Sequence, residues 1–258
     1  MNVILSIAGH DPSGGAGIQA DIETALALGC HASSLITCLT VQDTQKVYQI
    51  QPVDPFFFKK QADIILSDLT VSMIKIGLIG NLAIAQQILQ ILQQYPSIPV
   101  VFDPVLASGA GDSLANKKLI FFINQYIIPC CCLLTPNVSE AQKLTQLHHL
   151  EAMADSFLTQ GVKAVLITGT DNTALNKKNI EHYLFQKNKT KIVYKKMLLK
   201  GQYHGSGCTL AMALACFLTQ SESLELVISK ALDFTEYTLL NAMDIGHGQS
   251  LPLRLKTL

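Results

Sequence analysis

Short runs of Val, Ile and Leu alternate along the chain with longer amphipathic segments of helical period. This alternation is typical of βα units on a parallel sheet that helices cover on both faces. The apolar runs predict strands near residues 2–8, 33–41, 71–76, 98–102, 131–135 and 163–168. The amphipathic segments predict helices near residues 15–28, 55–66, 81–94, 113–127, 137–145, 150–160, 206–219 and 223–243. The expected fold class is therefore α/β with a mainly parallel central sheet.

One segment departs from this alternation. Residues 171–201 are rich in lysine, and within them 181–186 and 190–196 have a strand-like pattern separated by polar residues. Such a pattern predicts an edge hairpin between the last parallel strand and the helix near residue 206, with the lysines forming a solvated face. Because no linker, repeat or low-complexity tract divides the chain, we expect residues 1–258 to form a single domain.

Helix ends can also be predicted from short local signals. Asp54 followed by Pro55 supplies an N-cap and a first-turn proline, so the helix at 55–66 should begin there. Asn137 stands three residues before Glu140, which is the spacing of a capping box for the helix at 137–145. These two helix starts therefore follow from neighbouring residues alone.

Composition and charge narrow the class of protein. The 19 basic and 19 acidic residues balance to a net charge of +0, which removes the long-range field that a general nucleic-acid binder needs. Hydrophobic residues make up 49% of the chain, enough for a substantial core. The longest apolar stretch, 119–134, is broken by Asn124, Gln125 and Pro129, which argues against a membrane span. Because the first basic residue is Lys46, no targeting leader is indicated, and a cytoplasmic protein is expected.

Seven cysteines are present, and none has the paired spacing of a zinc site. An odd number of cysteines in a chain of this size indicates a reducing compartment rather than a disulfide framework. Most of them are expected to be small buried hydrophobic residues. Cys208 is the exception, because it lies in a glycine-rich motif.

The first glycine-rich motif, AGHDPSGGAGIQAD at 8–21, lies between a predicted strand and a helix. Its glycines allow tight backbone passage and leave N–H groups free to face a ligand. Gly15, Gly17 and Ala20 match a dinucleotide fingerprint formally, but the loop before Gly15 is too long for that fold. Nor is the motif a P-loop, since Lys and Ser or Thr do not follow Gly14.

The second motif, HGSGCTLAMALACF at 204–217, leads straight into an apolar helix. Gly205, Ser206 and Gly207 bring unpaired N–H groups and the positive end of the helix dipole to one point, which suits a phosphate or an oxyanion. Cys208 at this helix start is expected to have its thiolate favoured, and could act as a base or a nucleophile. The structural alternative is a glycine-rich entry to the helix with no ligand.

Two further polar positions follow predicted strands. Asp103 ends an apolar strand at the sheet edge where α/β proteins bind ligands, and a carboxylate there requires a metal, a hydrogen-bond donor or a substrate. Asn137 and Glu140 follow the next predicted strand, and they either only cap a helix or also hold Mg²⁺ through water.

Seven segments together resemble the hydroxymethylpyrimidine and phosphomethylpyrimidine kinases of thiamine biosynthesis, which belong to the ribokinase-like superfamily. In order along the chain they are GHDPSGGAGIQAD (9–21), LTVQDT (39–44), KIGL (75–78), DPVLASGAGD (103–112), TPNVSEA (135–141), HGSGCTLA (204–211) and GHGQSLP (246–252). The resemblance implies a three-layer α/β/α sandwich. It also implies that ATP phosphorylates the CH₂OH group of 4-amino-5-hydroxymethyl-2-methylpyrimidine and then phosphorylates the resulting monophosphate to the diphosphate.

The resemblance assigns roles motif by motif. The residues it places around the pyrimidine are Gly9, Asp21, Gln42, Leu78 and Val105. Gln42 is the most specific partner, since an amide both donates to and accepts from an aminopyrimidine. The residues it places around the phosphates are Gly205, Ser206, Gly207 and Asn137. The residues it assigns to Mg²⁺ are Asp103 and Glu140. Cys208 stands where related sugar kinases have an aspartate base.

Some positions differ from the family pattern. Thr168 stands where many members have Lys, His10 replaces a common Ser or Thr, and the loop at 103–112 lacks a lysine. These differences leave open the efficiency of the second phosphorylation. Three alternatives remain: a pyridoxal kinase on the same scaffold, a cysteine hydrolase using Cys208 with His204, and a non-catalytic pyrimidine or nucleotide sensor. The oligomeric state also stays open, with a homodimer among the options.

Overall fold

The computed structural model describes residues 1–107, 114–169, 178–220 and 222–255, and these build one nine-stranded sheet. The strands are β1 (Val3–His10), β2 (His31–Gln42), β3 (Val47–Pro52), β4 (Met73–Ile76), β5 (Val100–Phe102), β6 (Leu133–Leu134), β7 (Ala164–Thr168), β8 (Asn179–Gln186) and β9 (Ile192–Met197). Their order across the sheet is β3-β2-β1-β4-β5-β6-β7-β8-β9. The six strands β2, β1 and β4–β7 run parallel, whereas β3, β8 and β9 pair antiparallel at the two ends.

Helices connect the strands and flank the sheet. They are α1 (Gly17–Ala27), α2 (Pro55–Asp68), α3 (Leu82–Gln94), α4 (Lys117–Phe122), α5 (Val138–Thr145), α6 (Leu150–Thr159), α7 (Ser206–Leu218) and α8 (Leu224–Leu240). In α2, the side chain of Asp54 accepts a hydrogen bond from the Phe57 amide at 2.7 Å, and Pro55 is the first helical residue, as predicted. None of the helices in the described part of the chain combines the length and the apolar character needed to span a membrane.

Two apolar cores lie on opposite faces of the sheet. Alternate residues of each strand enter different cores, as Leu5 and Ile4 of β1 do, because side chains alternate across a strand. One core packs against α2 to α6, and the other packs against α1, α7 and α8. The three-layer α/β/α architecture is thereby confirmed.

Three sequence predictions need correction. Strand β3 was not predicted, because all six of its residues are exposed or half-buried and it lacks a buried apolar run. The predicted strand at 131–135 is ordered as strand only over Leu133–Leu134. The predicted helix at 113–127 begins outside the described residues. Its α-helical part ends at Phe122, and a π turn and a 3₁₀ turn containing Pro129 follow, since proline cannot continue the α-helical hydrogen bonds.

The predicted hairpin near residues 181–186 and 190–196 is confirmed as β8 and β9, an antiparallel pair at the edge of the sheet. Residues 170–177 of the lysine-rich segment and residues 108–113 of the loop after β5 lie outside the described part of the chain. The carboxyl ends of the parallel strands meet at one edge, which is where loops of a doubly wound sheet bind ligands. The glycine-rich motifs, Asp103 and Asn137 follow strands at this edge.

Candidate active site

The start of α7 meets the loop after β1 in close backbone contact. Gly205 is the N-cap of α7 and has a left-handed φ of 85°. A Cβ atom on Gly205 would lie 1.9 Å from the carbonyl oxygen of Gly15, so no larger residue fits. A Cβ atom on Gly207 would lie 3.5 Å from Oδ2 of Asp103. The first amides of α7 therefore lie between the glycine-rich loop and a carboxylate, and helix N-terminal amides are anion-binding groups.

Asp103 follows β5 and is only 5% exposed. Among the described residues, none donates a hydrogen bond to its carboxylate, although Lys75 lies near enough to affect its charge. Burial raises the pKa of Asp103 to about 6, even though the Lys75 ammonium acts in the opposite direction. A buried carboxylate that accepts no hydrogen bond from the described residues is available to bind a cation or to accept a hydrogen bond from a substrate.

Lys75 of β4 lies under the site and is fully buried with Asp21 of α1. Its Nζ atom donates to both oxygens of Asp21, at 2.8 and 2.9 Å, and Ser6 Oγ donates to Oδ2 of Asp21 at 2.5 Å. Burial by itself lowers the pKa of Lys75, but the nearby Asp21, Cys208 and Asp103 outweigh burial and raise it. The structure thus places a permanent positive charge below the start of α7.

Asp21, which the resemblance places beside the pyrimidine, lies with both oxygens bound by Lys75 and Ser6. Any role of Asp21 toward a ligand is therefore exerted through Lys75. Sequence reasoning did not single out Lys75, although it begins the KIGL segment. A lysine at the centre of an otherwise apolar parallel strand was the available signal, because lysine is rarely fully buried without a partner.

Cys208 lies in the first turn of α7 and is partly accessible. Burial raises the pKa of its thiol to about 11; the charge of Lys75 opposes this rise and Asp103 adds to it. The expectation that the helix start favours the thiolate is therefore wrong for the ligand-free protein. Desolvation of the thiolate and the charges of Asp103 and Asp21 outweigh the charge of Lys75 and a hydrogen bond from the Gly17 backbone.

Asn137 and Glu140 form the capping box that their spacing predicts. The side chain of Asn137 accepts from the Glu140 amide at 2.8 Å, and Oε2 of Glu140 accepts from the Asn137 amide at 3.0 Å. The other oxygen of Glu140 accepts from the Leu106 amide at 3.4 Å, in the chain after Asp103. Glu140 thereby joins the loops that follow β5 and β6, and the residue is 8% exposed.

Four of the residues that the resemblance assigns to the pyrimidine lie on or just after the neighbouring strands β2, β1, β4 and β5, and the fifth, Asp21, lies in α1. A Cβ atom on Gly9 would lie 3.0 Å from Sγ of Cys38 and 3.1 Å from Cδ2 of Leu78, so Gly9 and Leu78 are neighbours. Leu78 and Val105 line the same small apolar cavity. Gln42 is half-buried at the end of β2, where it pairs with the start of β3.

A contact between the two glycine-rich motifs was missed by sequence reasoning. Nε2 of His204 lies 2.7 Å from Oδ2 of Asp11, and Asp11 also accepts from the amides of Ser13 and Ala16. Burial alone would raise the pKa of Asp11, but hydrogen bonds from His204 and Ser13 lower it to about 2. Asp11 and His204 are separated by 193 positions along the chain, which explains why no spacing could reveal this pair.

No group of three or more His, Cys, Asp or Glu side chains in residues 1–107, 114–169, 178–220 and 222–255 is arranged to hold a metal ion. Mg²⁺, however, usually keeps several waters and binds through one or two carboxylates together with substrate phosphates. Asp103, which lacks a donor among the described residues, fits that type of site. Glu140 fits it through water, since both of its oxygens accept from backbone amides.

The fold is shared with vitamin kinases of the ribokinase-like class. The ADP complex of a pyridoxal kinase from Bacillus subtilis superposes with a TM-score of 0.87 at 23% identity, over 98% of this chain and 96% of that chain. A phosphomethylpyrimidine kinase from Clostridium difficile superposes with a TM-score of 0.78 at 29% identity, over 91% of this chain and 98% of that chain. The chain therefore shares the architecture of these small-molecule kinases.

Residues 11–253 match the phosphomethylpyrimidine kinase family, and the chain belongs to that family. The hydroxymethylpyrimidine/phosphomethylpyrimidine kinase of Escherichia coli is 32% identical over 252 residues, which cover 95% of this chain and 94% of the relative. Some relatives are longer: the chain spans 48% of a Schizosaccharomyces pombe relative and 50% of a thiamine biosynthesis bifunctional protein of Geobacter sulfurreducens.

Proposed function

We propose that the protein transfers the γ-phosphoryl group of ATP to 4-amino-5-hydroxymethyl-2-methylpyrimidine and then to its monophosphate. The observation that carries this proposal is the convergence of the α7 amides, Asp103 and the buried Lys75 at the carboxyl edge of the sheet, in a chain of this family. Phosphoryl transfer needs positioning and charge neutralisation more than covalent chemistry, and these groups supply both.

In the proposed reaction, the amides of Gly205, Ser206, Gly207 and Cys208 bind the transferring phosphoryl oxygens. Their partial positive charge, together with the Lys75 ammonium, stabilises negative charge that develops there. Asn137 lies beside the nucleotide phosphates in this arrangement. Because the close contact between Gly205 and Gly15 fixes the backbone beforehand, little reorganisation is needed during transfer.

Mg²⁺ is the proposed cofactor, held by Asp103 and, through water, by Glu140. When bound, it would neutralise charge on the ATP phosphates. Asp103 has a pKa of about 6, so its carboxylate is mostly ionised at neutral pH and can serve this role.

Cys208 is the proposed relay for the hydroxyl proton. Because its pKa is about 11, the thiol is protonated at neutral pH in the ligand-free protein. It can therefore take the substrate proton only as its own proton passes to an oxygen of the transferred phosphoryl group. A loose phosphoryl-transfer transition state places little demand on a base, and a relay of this kind is sufficient.

The pyrimidine is proposed to bind among Gly9, Gln42, Leu78 and Val105, with Asp21 supporting this side through Lys75. Gln42→Leu tests this placement, because it removes an amide that both donates and accepts. We expect a rise in the pyrimidine KM worth about 1–3 kcal/mol, with the KM for ATP little changed. An unchanged pyrimidine KM would remove Gln42 from the pocket.

The function is tested by measuring ATP consumption with hydroxymethylpyrimidine, its monophosphate and pyridoxal in parallel, with and without added Mg²⁺. Mass spectrometry of the products should find two phosphates on the pyrimidine. Turnover should stop when EDTA removes divalent cations. If pyridoxal is phosphorylated and neither pyrimidine is consumed, the protein is a pyridoxal kinase and the proposal is wrong. If the ligands bind without turnover, the protein is a sensor.

A further inference from the structure

Arg254 is the one arginine of the chain, and it lies inside the protein rather than on its surface. Only 2% of it is exposed, and it is among the largest fully buried side chains of the described residues. It follows α8 in the segment 243–254, which contains the GHGQSLP motif at 246–252. Burying a guanidinium group requires nearly all of its donors to find partners, so its contacts identify what it holds.

The contacts of Arg254 converge on the glycine-rich loop after β1. Nη2 donates to the carbonyl oxygen of Gly15 at 2.5 Å, and Nη1 donates to that of Gly14 at 3.4 Å. Nη1 also pairs with Oε2 of Glu23 in α1 at 3.0 Å, which supplies the opposite charge. The Gly15 carbonyl is the same group that lies against Gly205 at the start of α7. Arg254 therefore holds the backbone surface on which the α7 start rests.

A second chain of hydrogen bonds leads from Arg254 to α7 itself. Its Nε atom donates to Oγ1 of Thr209 at 2.9 Å, and that hydroxyl donates to the carbonyl oxygen of Gly205 at 2.9 Å. Arg254 is thus bonded to the carbonyl of Gly15 directly and to that of Gly205 through one hydroxyl. These two glycines are the residues whose close approach shapes the proposed phosphate site.

The rest of the segment continues this connection. The His204 amide donates to the carbonyl oxygen of Ser250 at 3.0 Å, directly before Gly205. The Gly248 and Gln249 amides donate to Oγ1 and O of Thr44 at 2.9 and 2.8 Å, in the turn between β2 and β3. The segment therefore runs from the turn after Gln42 to the phosphate side of the site.

We propose that Arg254, acting with Thr209, is a positioning residue that holds the two glycine-rich loops in register and so aims the first amides of α7 at the transferring phosphoryl group. This inference rests on the proposed function for its kinetic consequence, but its structural consequence can be measured without substrate. Arg254 itself does not touch the substrate. It acts through the Gly15 carbonyl and through Thr209.

Arg254→Lys keeps the charge but removes the planar fork that reaches both loops at once. We expect kcat to fall by roughly ten- to a hundred-fold, because small displacements of positioning groups have effects of that size. The KM for the pyrimidine should change less than two-fold, since the hydrogen bonds of Arg254 go to Gly14, Gly15, Glu23 and Thr209 rather than to Gly9, Gln42, Leu78 or Val105. In the ligand-free protein, amide hydrogen exchange of residues 14–17 and 205–209 should become faster.

Thr209 supplies a matched pair of variants. Thr209→Val keeps the shape but removes the hydroxyl, and should lower kcat and accelerate the same amides, whereas Thr209→Ser should recover most of both properties. The double variant, Arg254→Lys with Thr209→Val, should lower kcat by a smaller factor than the product of the two separate factors. Both substitutions break the same chain of hydrogen bonds.

Phe157→Leu is the control for lost stability, since Phe157 is fully buried in the opposite core. It should lower the thermal midpoint without changing kcat below that midpoint. The proposal is overturned if Arg254→Lys behaves like this control, or if kcat falls while exchange in both loops is unchanged. If the parent protein phosphorylates neither pyrimidine, the proposed function fails, and the exchange comparison alone decides the role of Arg254.

Discussion

Lysine–carboxylate pairs occur in two regions of this molecule with opposite surroundings. Under the site, Lys75 and Asp21 have side chains with 0% exposure and meet at 2.8 Å. On the β8–β9 hairpin, Lys191 pairs with Glu151, and the two side chains are 40% and 60% exposed. The residue types are alike, but desolvation makes the buried charges dependent on each other, whereas water screens the exposed ones. The contribution of an ion pair to stability thus depends on its burial rather than on the distance between its charged atoms.

The largest effect is expected from Lys75→Met, which leaves Asp21 buried without its positively charged partner and with only the hydrogen bond from Ser6. Breaking a buried pair from one side typically costs about 3–5 kcal/mol of the free energy of unfolding. Urea denaturation measures this loss, and the double variant Lys75→Met with Asp21→Leu should recover part of it while leaving turnover low. A loss below about 1 kcal/mol would show that the buried pair resembles the exposed one.

His182 extends the comparison of buried and exposed charged groups to the hairpin itself, because it belongs to β8 yet is only 6% exposed. Burial and the charge of Lys196 lower its pKa from 6.5 to about 4, against the effect of Glu236. The unfolded chain therefore binds a proton between about pH 6.5 and pH 4 that the folded protein does not bind, so stability falls as the pH falls through this range. The difference of 2.5 pKa units corresponds to roughly 3 kcal/mol.

The experiment compares denaturation of the parent protein and of His182→Leu at pH 7 and pH 4.5. The variant should lose less stability between the two pH values than the parent does. Equal losses would mean that other groups cause the acid sensitivity of the hairpin.

Cys208→Ser tests a group whose pKa depends on burial and on the nearby charges of Lys75 and Asp103. If the thiol relays the hydroxyl proton, the variant should keep nucleotide binding and lose about 10²-fold in kcat, the lower end of the range for an acid–base group. Because the pKa of Cys208 is about 11, the parent rate should not rise with thiolate formation between pH 6 and pH 9. If the variant has the parent's kcat over that range, Cys208 is not the relay, and catalysis relies on the α7 amides, Lys75 and Mg²⁺.

The smallest effect is expected from Lys191→Met, the exposed counterpart of Lys75→Met. An exposed pair typically contributes less than about 1 kcal/mol, and added salt weakens it further. Urea denaturation and kcat should both be close to those of the parent. A loss as large as that of Lys75→Met would contradict the role assigned to burial.

Local patterns predicted the elements whose causes lie within a few residues of chain. Asp54 with Pro55 starts α2, and Asn137 with Glu140 forms a capping box, because each cap bonds to amides three residues away. The parallel strands follow from apolar runs that must be buried on both faces. Strand β3 was missed because it forms by pairing with β2. Such pairing requires no buried apolar run in the sequence of a half-exposed segment.

The sequence by itself determined the alternation of strands and helices, the glycine-rich loops and the family to which the chain is similar. Only the tertiary structure decided that Lys75 meets Asp21, that Asp11 meets His204, and that Arg254 holds Gly15. It also reversed the expected effect on the Cys208 thiol. Helix caps and strand periods depend on neighbours along the chain, whereas the pKa of a buried group depends on which distant side chains exclude water from it and supply charge.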